Sequence, residues 1–248
     1  MEQPVVSIVI RALNEAQPLD ELLSAIRAQR GIKPDEVEVI VVDNQSTDNT
    51  PEVARSHAAQ VITLQRDQFS YPKSMNLGVG ACHAPIVVLT VGHALPIGPD
   101  WLASILPYFR DPKVAGVFGP VLPNKRYGMF EWFMYMQNYW RCRLRNPRYL
   151  RRAGTGVFGA TNIALRKELW EAHPFDEQYG LGGEDTHWAE WAFQQGYQIV
   201  RECGFTVRHS HGLSFLRYLT QIRYWHRLSQ PTTFTRKALK YRQDIDWQ

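Results

Sequence analysis

Val5-Val6-Ser7-Ile8-Val9-Ile10, running into Arg11-Ala12-Leu13-Asn14-Glu15, is the stretch whose reading decides the fold. Its first six residues are β-branched apart from Ser7. A continuous run of this kind marks a strand buried on both faces rather than a half-exposed one. Asn14-Glu15 breaks the run, and Leu19 to Ala28 has helical spacing that Gly31 closes. Val37 to Val42 is a second buried strand. Asp43-Asn44-Gln45-Ser46-Thr47-Asp48 is a polar turn, and Thr50-Pro51-Glu52 starts a helix with proline at its first position. Val61 to Leu64 reads as a short strand, Ser74 to Cys82 as a helix and Ala84 to Val91 as a further buried strand. This alternation implies an α/β fold with a doubly wound, mostly parallel central sheet. Ligands then bind beyond the C-terminal ends of the strands.

Composition narrows the classes. A chain of 248 residues, 44% hydrophobic, can bury one large core or two small ones. No apolar run of about 18 residues is present, so no membrane span is expected. Met1-Glu2-Gln3-Pro4 lacks the basic start of a signal peptide. Cys82, Cys142 and Cys203 are few and scattered. They argue against a disulfide framework or a zinc site and fit a reducing cytoplasm. The net charge of +4 permits an anionic ligand or an anionic membrane surface.

The chemistry-bearing residues lie at the element ends. Gly182-Gly183-Glu184-Asp185 opens a helix expected over Asp185 to Gln195, with Gly196 as its stop. Carboxylates at a helix N-terminus are stabilised as anions, and serve as N-caps. A carboxylate on a glycine hinge facing a cleft also suits the removal of a proton from a hydroxyl. Asp43, at the end of the second strand, either binds a ribose hydroxyl or base N–H, or caps a turn. Neither a G-x-G-x-x-G after the first strand nor a G-x-x-x-x-G-K is present, which counts against common nicotinamide and ATP sites.

Several ordered motifs together resemble the glycosyltransferases of family 2. They are Ser7-Ile8-Val9-Ile10 through Asn14-Glu15, Val41 to Thr50, Ser74-Met75-Asn76-Leu77-Gly78, and the strand ending at His93-Ala94-Leu95-Pro96. Phe158-Gly159-Ala160-Thr161-Asn162 and Gly183-Glu184-Asp185 continue the match, which covers roughly residues 5 to 211. Asp111 to Gly119 and His209-Ser210-His211 are most similar to bacterial rhamnosyltransferase-like members. The resemblance implies a Rossmann-like GT-A fold and transfer of a sugar from a nucleotide diphosphate with inversion. It implies one domain over 1–212, with a nucleotide half at about 1–96 and an acceptor half at about 97–212, followed by a helical extension over 213–248. Carried over, Asp43 contacts the nucleobase, and Ala12, Asn14 and Glu15 line the nucleotide pocket, with Ser46, Lys73 and Asn76 beside them. Asp185 becomes the general base, and Glu184 orients it or contacts the acceptor. Lys73 and Arg66 are also candidates for phosphate contact, or are simply solvated cations.

One departure concerns the metal. The family's aspartate motif falls on Val91-Gly92-His93, where only His93 can ligate. Imidazole suits Mn²⁺ better than Mg²⁺. His93 with His209 or His211 would then hold a transition metal on the diphosphate. Alternatively, catalysis is metal-independent, with protein cations or N–H groups meeting the leaving charge. A non-catalytic nucleotide- or glycan-binding module on the same fold is the competing function. The retained Glu184-Asp185 pair argues for the enzyme.

The expected donor is UDP-, dTDP- or GDP-linked, and the expected acceptor a glycan or lipid-linked saccharide of polysaccharide biosynthesis. Asn124 to Arg152 is basic, aromatic and reads as helical, and Phe215 to Arg227 repeats that composition. Such helices suit peripheral contact with an anionic membrane at its cytoplasmic face. Otherwise the aromatics are core or sugar-stacking platforms (Trp132, Trp188 or Trp191). Stacking on nucleic acid is the less favoured reading, and no nucleic-acid partner is expected.

Overall fold

The computed structural model describes residues 3–123, 136, 139–140, 142–152, 157–209, 220 and 223. The opening run forms β1 (Val6–Ala12), all but one residue of it buried. It pairs in parallel with β2 (Val37–Asp43) on one side and with β4 (Ile86–Val91) on the other. β3 (Gln60–Thr63) extends the sheet beyond β2, also in parallel. α1 (Ala16–Arg27) turns Leu19, Leu22, Leu23 and Ile26 inward, the i, i+3, i+4, i+7 stripe of a helix lying on a sheet. α2 (Thr50–Ser56) packs beside α1, and α3 (Tyr71–Gly80) covers the opposite face. Gly78 lets α3 sit close, since a Cβ there would lie 2.3 Å from Val9 Cγ1.

The parallel rhythm ends at β4. The eight strands run β3-β2-β1-β4-β9-β6-β10-β8. β9 (Asn162–Arg166) is wedged antiparallel between β4 and β6 (Val114–Phe118). β10 (Gln198–Arg201) returns parallel to β6. The sheet is therefore mixed in its second half. The remaining strands are β5 (Leu95–Pro96), β7 (Val121–Leu122) and β11 (Val207–Arg208), which form a separate small sheet with β11 in the middle. α4 (Lys167–Ala172) follows β9, and α5 (Glu184–Gln194) precedes β10.

Two expectations need correction. Cys142 and Cys203 form a disulfide, against the expectation of unpaired thiols. They are 61 residues apart, and only the docking of the 142–146 turn against the end of β10 brings them together. Asn146 holds that junction by accepting from Cys203 N at 2.8 Å and donating to Glu202 Oε1 at 3.0 Å. The stretch read as helical through Arg152 ends instead in β8 (Arg148–Leu150), an edge strand antiparallel to β10. The basic aromatic positions from Lys125 to Tyr135, the expected 213–248 helical extension and His211 lie outside the described residues, save positions 220 and 223.

Candidate active site

The ends of β1, β2 and β4 are tied into one rim. Asn44 N donates to Ala12 O, and Gly92 N donates to Arg11 O, each at 2.9 Å. Asn14 takes a left-handed conformation (φ 53°), a region in which asparagine is enriched among non-glycine residues. That turn lets its N–H donate to Ser46 Oγ at 2.8 Å and its Oδ1 accept from Thr47 N at 2.7 Å. Glu15 N donates to Thr50 Oγ1 at 2.8 Å. The loops after β1 and β2 are thus mutually braced. Buried Asp43 lies between them and, among the described residues, takes only a long bond from Ser46 N, 3.3 and 3.2 Å to its two oxygens. Its remaining lone pairs suit a donor N–H or O–H from a ligand.

The rim continues to His93. Its Nδ1 contacts Glu15 Oε1, while Glu15 Oε2 is buried without a hydrogen-bond partner. Gly92 makes this possible, because a Cβ at that position would come within 2.3 Å of Glu15 Oε2. His209 stacks on His93, with ring centroids 4.6 Å apart and planes 21° apart. The pairing of β11 with β5 places residue 209 there. Among the described residues no group of three or more His, Cys, Asp or Glu is arranged to hold a metal. Glu15, His93 and His209 bring a carboxylate and two imidazoles together at the rim.

α5 supplies the other side. Gly183 is its N-cap at φ 99°, and Gly182 before it sits at φ 135°. Such angles favour glycine. The cap is therefore Gly183, and Glu184 and Asp185 are the first two helical residues. Asp185 Oδ2 accepts from Ala160 N at 2.9 Å, and Oδ1 from Thr186 N at 2.6 Å. Burial raises the Asp185 carboxyl above its ordinary range, opposed by those bonds and by Arg11. Glu184 is 2% exposed, and its Oε2 has no partner among the described residues. Burial first, and the neighbouring Asp185 charge second, push its carboxyl up to about 8.

Arg11 is the residue that sequence reasoning passed over. Its guanidinium carbon stands 4.7 Å from the centroid of the Tyr71 ring, its Nε is buried without a partner, and its charge acts on both Glu184 and Asp185. The signal was available. In a strand whose alternate residues face α3, position 11 follows Val9 onto that face.

Other candidates have partners of their own. Asn76 is fully engaged in the fold, donating to Phe175 O at 2.8 Å and accepting from Trp170 Nε1 at 2.9 Å and Phe175 N at 3.1 Å. Lys73 reaches Gln68 Oε1 at 3.4 Å, and Arg66 is exposed. Trp188 is not a stacking platform: it is wholly buried, stacked on Phe158, and donates to His173 O at 2.9 Å. Trp191 stacks on His173 at 4.5 Å.

Parallel strand ends opposite a helix headed by paired carboxylates form the candidate site, and solved glycosyltransferases share the fold that carries it. A mannosyltransferase from Pyrobaculum calidifontis, solved with GDP-mannose and Mn²⁺, superposes with a TM-score of 0.64 at 22% identity, covering 90% of this chain and 61% of that one. Glucosyl-3-phosphoglycerate synthase from Mycobacterium tuberculosis, solved with UDP and Mn²⁺, gives 0.59 at 16% identity, covering 91% and 77%. The glycosyl transferase family 2 model matches residues 7–172, and the chain belongs to that family. It resembles bacterial rhamnosyltransferases. The O-antigen chain rhamnosyltransferase RfbN of Salmonella typhimurium is 24% identical over 222 residues, 86% of this chain and 70% of its own length. The corresponding enzyme WbaN of Salmonella anatum is 25% identical over 189 residues, 73% of this chain and 60% of its own. The chain thus spans about two thirds of the length of these relatives. Among the described residues no helix is long and apolar enough to cross a membrane.

Proposed function

We propose that the chain transfers a hexosyl or deoxyhexosyl group from a nucleotide-diphosphate sugar to a hydroxyl of a glycan or lipid-linked saccharide, with inversion. The observation that carries this is the placement of Asp185 at the head of α5, anchored by Ala160 N–H and Thr186. Asp185 takes the proton of the acceptor hydroxyl. The acceptor oxygen bonds to the anomeric carbon on the face opposite the leaving group. The bond from that carbon to the diphosphate oxygen breaks, and the nucleoside diphosphate departs with the electron pair. Asp43 holds the base, and Asn14, Glu15, Ala12 and Ser46 shape the nucleotide pocket. Lys73 is kept as a peripheral phosphate contact. The acceptor is met at the inner face of the membrane, where a lipid-linked saccharide is presented.

The reading is tested in two steps. Calorimetric titration with UDP, dTDP and GDP, each with Mn²⁺, Mg²⁺ or EDTA, identifies the donor class. Binding of one nucleotide only with Mn²⁺ supports a histidine-containing metal site, and binding indifferent to EDTA supports metal-free transfer. Asp185→Asn is then expected to lower transfer by roughly a hundred-fold to ten-thousand-fold, the usual contribution of a general base, with nucleotide affinity kept within a few-fold. Unchanged turnover would remove Asp185 from the role.

A further inference from the structure

Three elements supply four groups to this part of the site. Arg11 comes from β1, Tyr71 from the start of α3, and Glu184 and Asp185 from the start of α5. Tyr71 N donates to Gly180 O at 2.8 Å, so the loop leading to α5 is tied to the head of α3. The guanidinium lies over the Tyr71 ring, which fixes its position while leaving its edge for charge interactions. Burial raises the Tyr71 phenol, with Glu184 adding to the effect and Arg11 opposing it, so Tyr71 is a neutral platform. Arg11 makes no ion pair within 4.0 Å among the described residues, and its Nε is buried without a partner. It acts on the carboxylates through space.

We propose that Arg11 is a positioning residue for transfer: stacked on Tyr71, its single positive charge keeps Asp185 ionised as proton acceptor while the enclosed Glu184 retains its proton. One cation serving two buried carboxylates leaves the cluster neutral when one proton stays. The geometry decides which carboxylate keeps it. Asp185 accepts hydrogen bonds from the N–H groups of Ala160 and Thr186, which favour its anion, whereas Glu184 Oε2 accepts none. The protonated Glu184 then offers an O–H donor toward the bound sugars. This rests on the reading of Asp185 as the base.

The test is carboxyl-carbon NMR on the full chain labelled with ¹³C at the Asp and Glu carboxyls, the two signals assigned by Asp185→Asn and Glu184→Gln. In Arg11→Met both titration midpoints are expected to move upward by about one pH unit, the low end of what an opposite charge supplies. Arg11→Lys is expected to restore most of the shift. Midpoints unchanged in a folded Arg11→Met protein, or a Glu184 signal that is ionised in the wild type throughout the neutral range, would overturn the proposal. The titration needs no substrate, so it is separable from the base assignment. Loss of transfer in Asp185→Asn with unmoved midpoints in Arg11→Met sinks only the Arg11 role. Retained transfer in Asp185→Asn sinks the base.

Discussion

Glu184→Gln is the substitution whose outcome the structure fixes most closely. The Glu184 carboxyl ionises near 8 in the fold against 4.5 for an open chain, mainly because it is buried and secondly because Asp185 is beside it. Below 4.5 both states carry the proton and nothing is lost. Between 4.5 and 8 the unfolded chain releases its proton while the folded one keeps it, so stability falls as pH rises. At about 1.4 kcal/mol per pH unit the full window amounts to roughly 5 kcal/mol, and relaxation around an ionised side chain would bring it nearer half that. Either figure is large beside the roughly 5–15 kcal/mol that holds a domain together. Glutamine cannot ionise and removes this slope. Its amide meets the same unpartnered pocket, which costs about 1–3 kcal/mol at every pH. The pH dependence, rather than the absolute stability, therefore isolates the effect. Urea unfolding of both proteins at several pH values from the acid to the weakly alkaline side is the assay. The wild type is expected to lose stability over this range relative to Glu184→Gln, so that the difference between them shrinks or reverses. Parallel curves would show that Glu184 is ionised in the fold and that its surroundings are wetter than they look. Glutamine also mimics a protonated carboxyl, so transfer at neutral pH is expected to stay within about ten-fold of wild type, about 1.4 kcal/mol in the barrier.

Three further outcomes follow from particular contacts. Asp43→Asn places an amide where a ligand donor is to be accepted, and calorimetry should show nucleotide affinity reduced at least ten-fold with the fold intact; undiminished affinity would make Asp43 a turn cap only. Gly92→Ala sets a Cβ against Glu15 Oε2 and should release the Glu15–His93 contact, so the double variant with Glu15→Ala should be no worse than Gly92→Ala alone. Additive losses in thermal unfolding would show that the two positions do not meet. Gly119→Ala would put a Cβ 1.3 Å from the Phe205 carbonyl oxygen, which backbone cannot yield cheaply. A destabilisation of about 3 kcal/mol or more is expected in urea titration, and a near-neutral result would contradict the packing of β6 against the 203–206 turn.

The first half of the fold was legible because its signals are local. Val6 to Ala12 and Val37 to Asp43 are rich in β-branched residues, which suits strands of a covered central sheet. The element order from β1 to β4 follows directly. The second half is set by partners that no local pattern names. Asn162 to Arg166 carries nothing to say that it will lie antiparallel between β4 and β6. Cys142 and Cys203 could not be paired before the 142–146 turn was known to dock on β10. The site divides in the same way. Asp43, Asn14 and Glu15 were visible as polar residues ending buried strands. The meeting of His209 with His93 comes from strand pairing across more than a hundred residues. Arg11 carried no motif of its own in the sequence; β1 continues through it and turns it beneath Tyr71.

The paired carboxylates also show which electrostatic effect prevails at the head of α5. A helix N-terminus favours anions by about 0.3–1 kcal/mol, or about 2 in an enclosed geometry. That was the sequence-level reason to expect two charged side chains there. Removing a carboxylate from water costs several kcal/mol unless hydrogen bonds replace the lost solvent. Asp185 receives such bonds from Ala160 and Thr186, which oppose burial, although burial still raises its carboxyl. Glu184, one residue earlier on the same helix end, has an oxygen with no donor and a like charge beside it, and there burial outweighs the dipole. Burial raises both carboxyls, and the N–H donors that Asp185 receives favour its anion over that of Glu184. In the proposed transfer this difference favours Asp185, rather than Glu184, as the group that receives the acceptor proton.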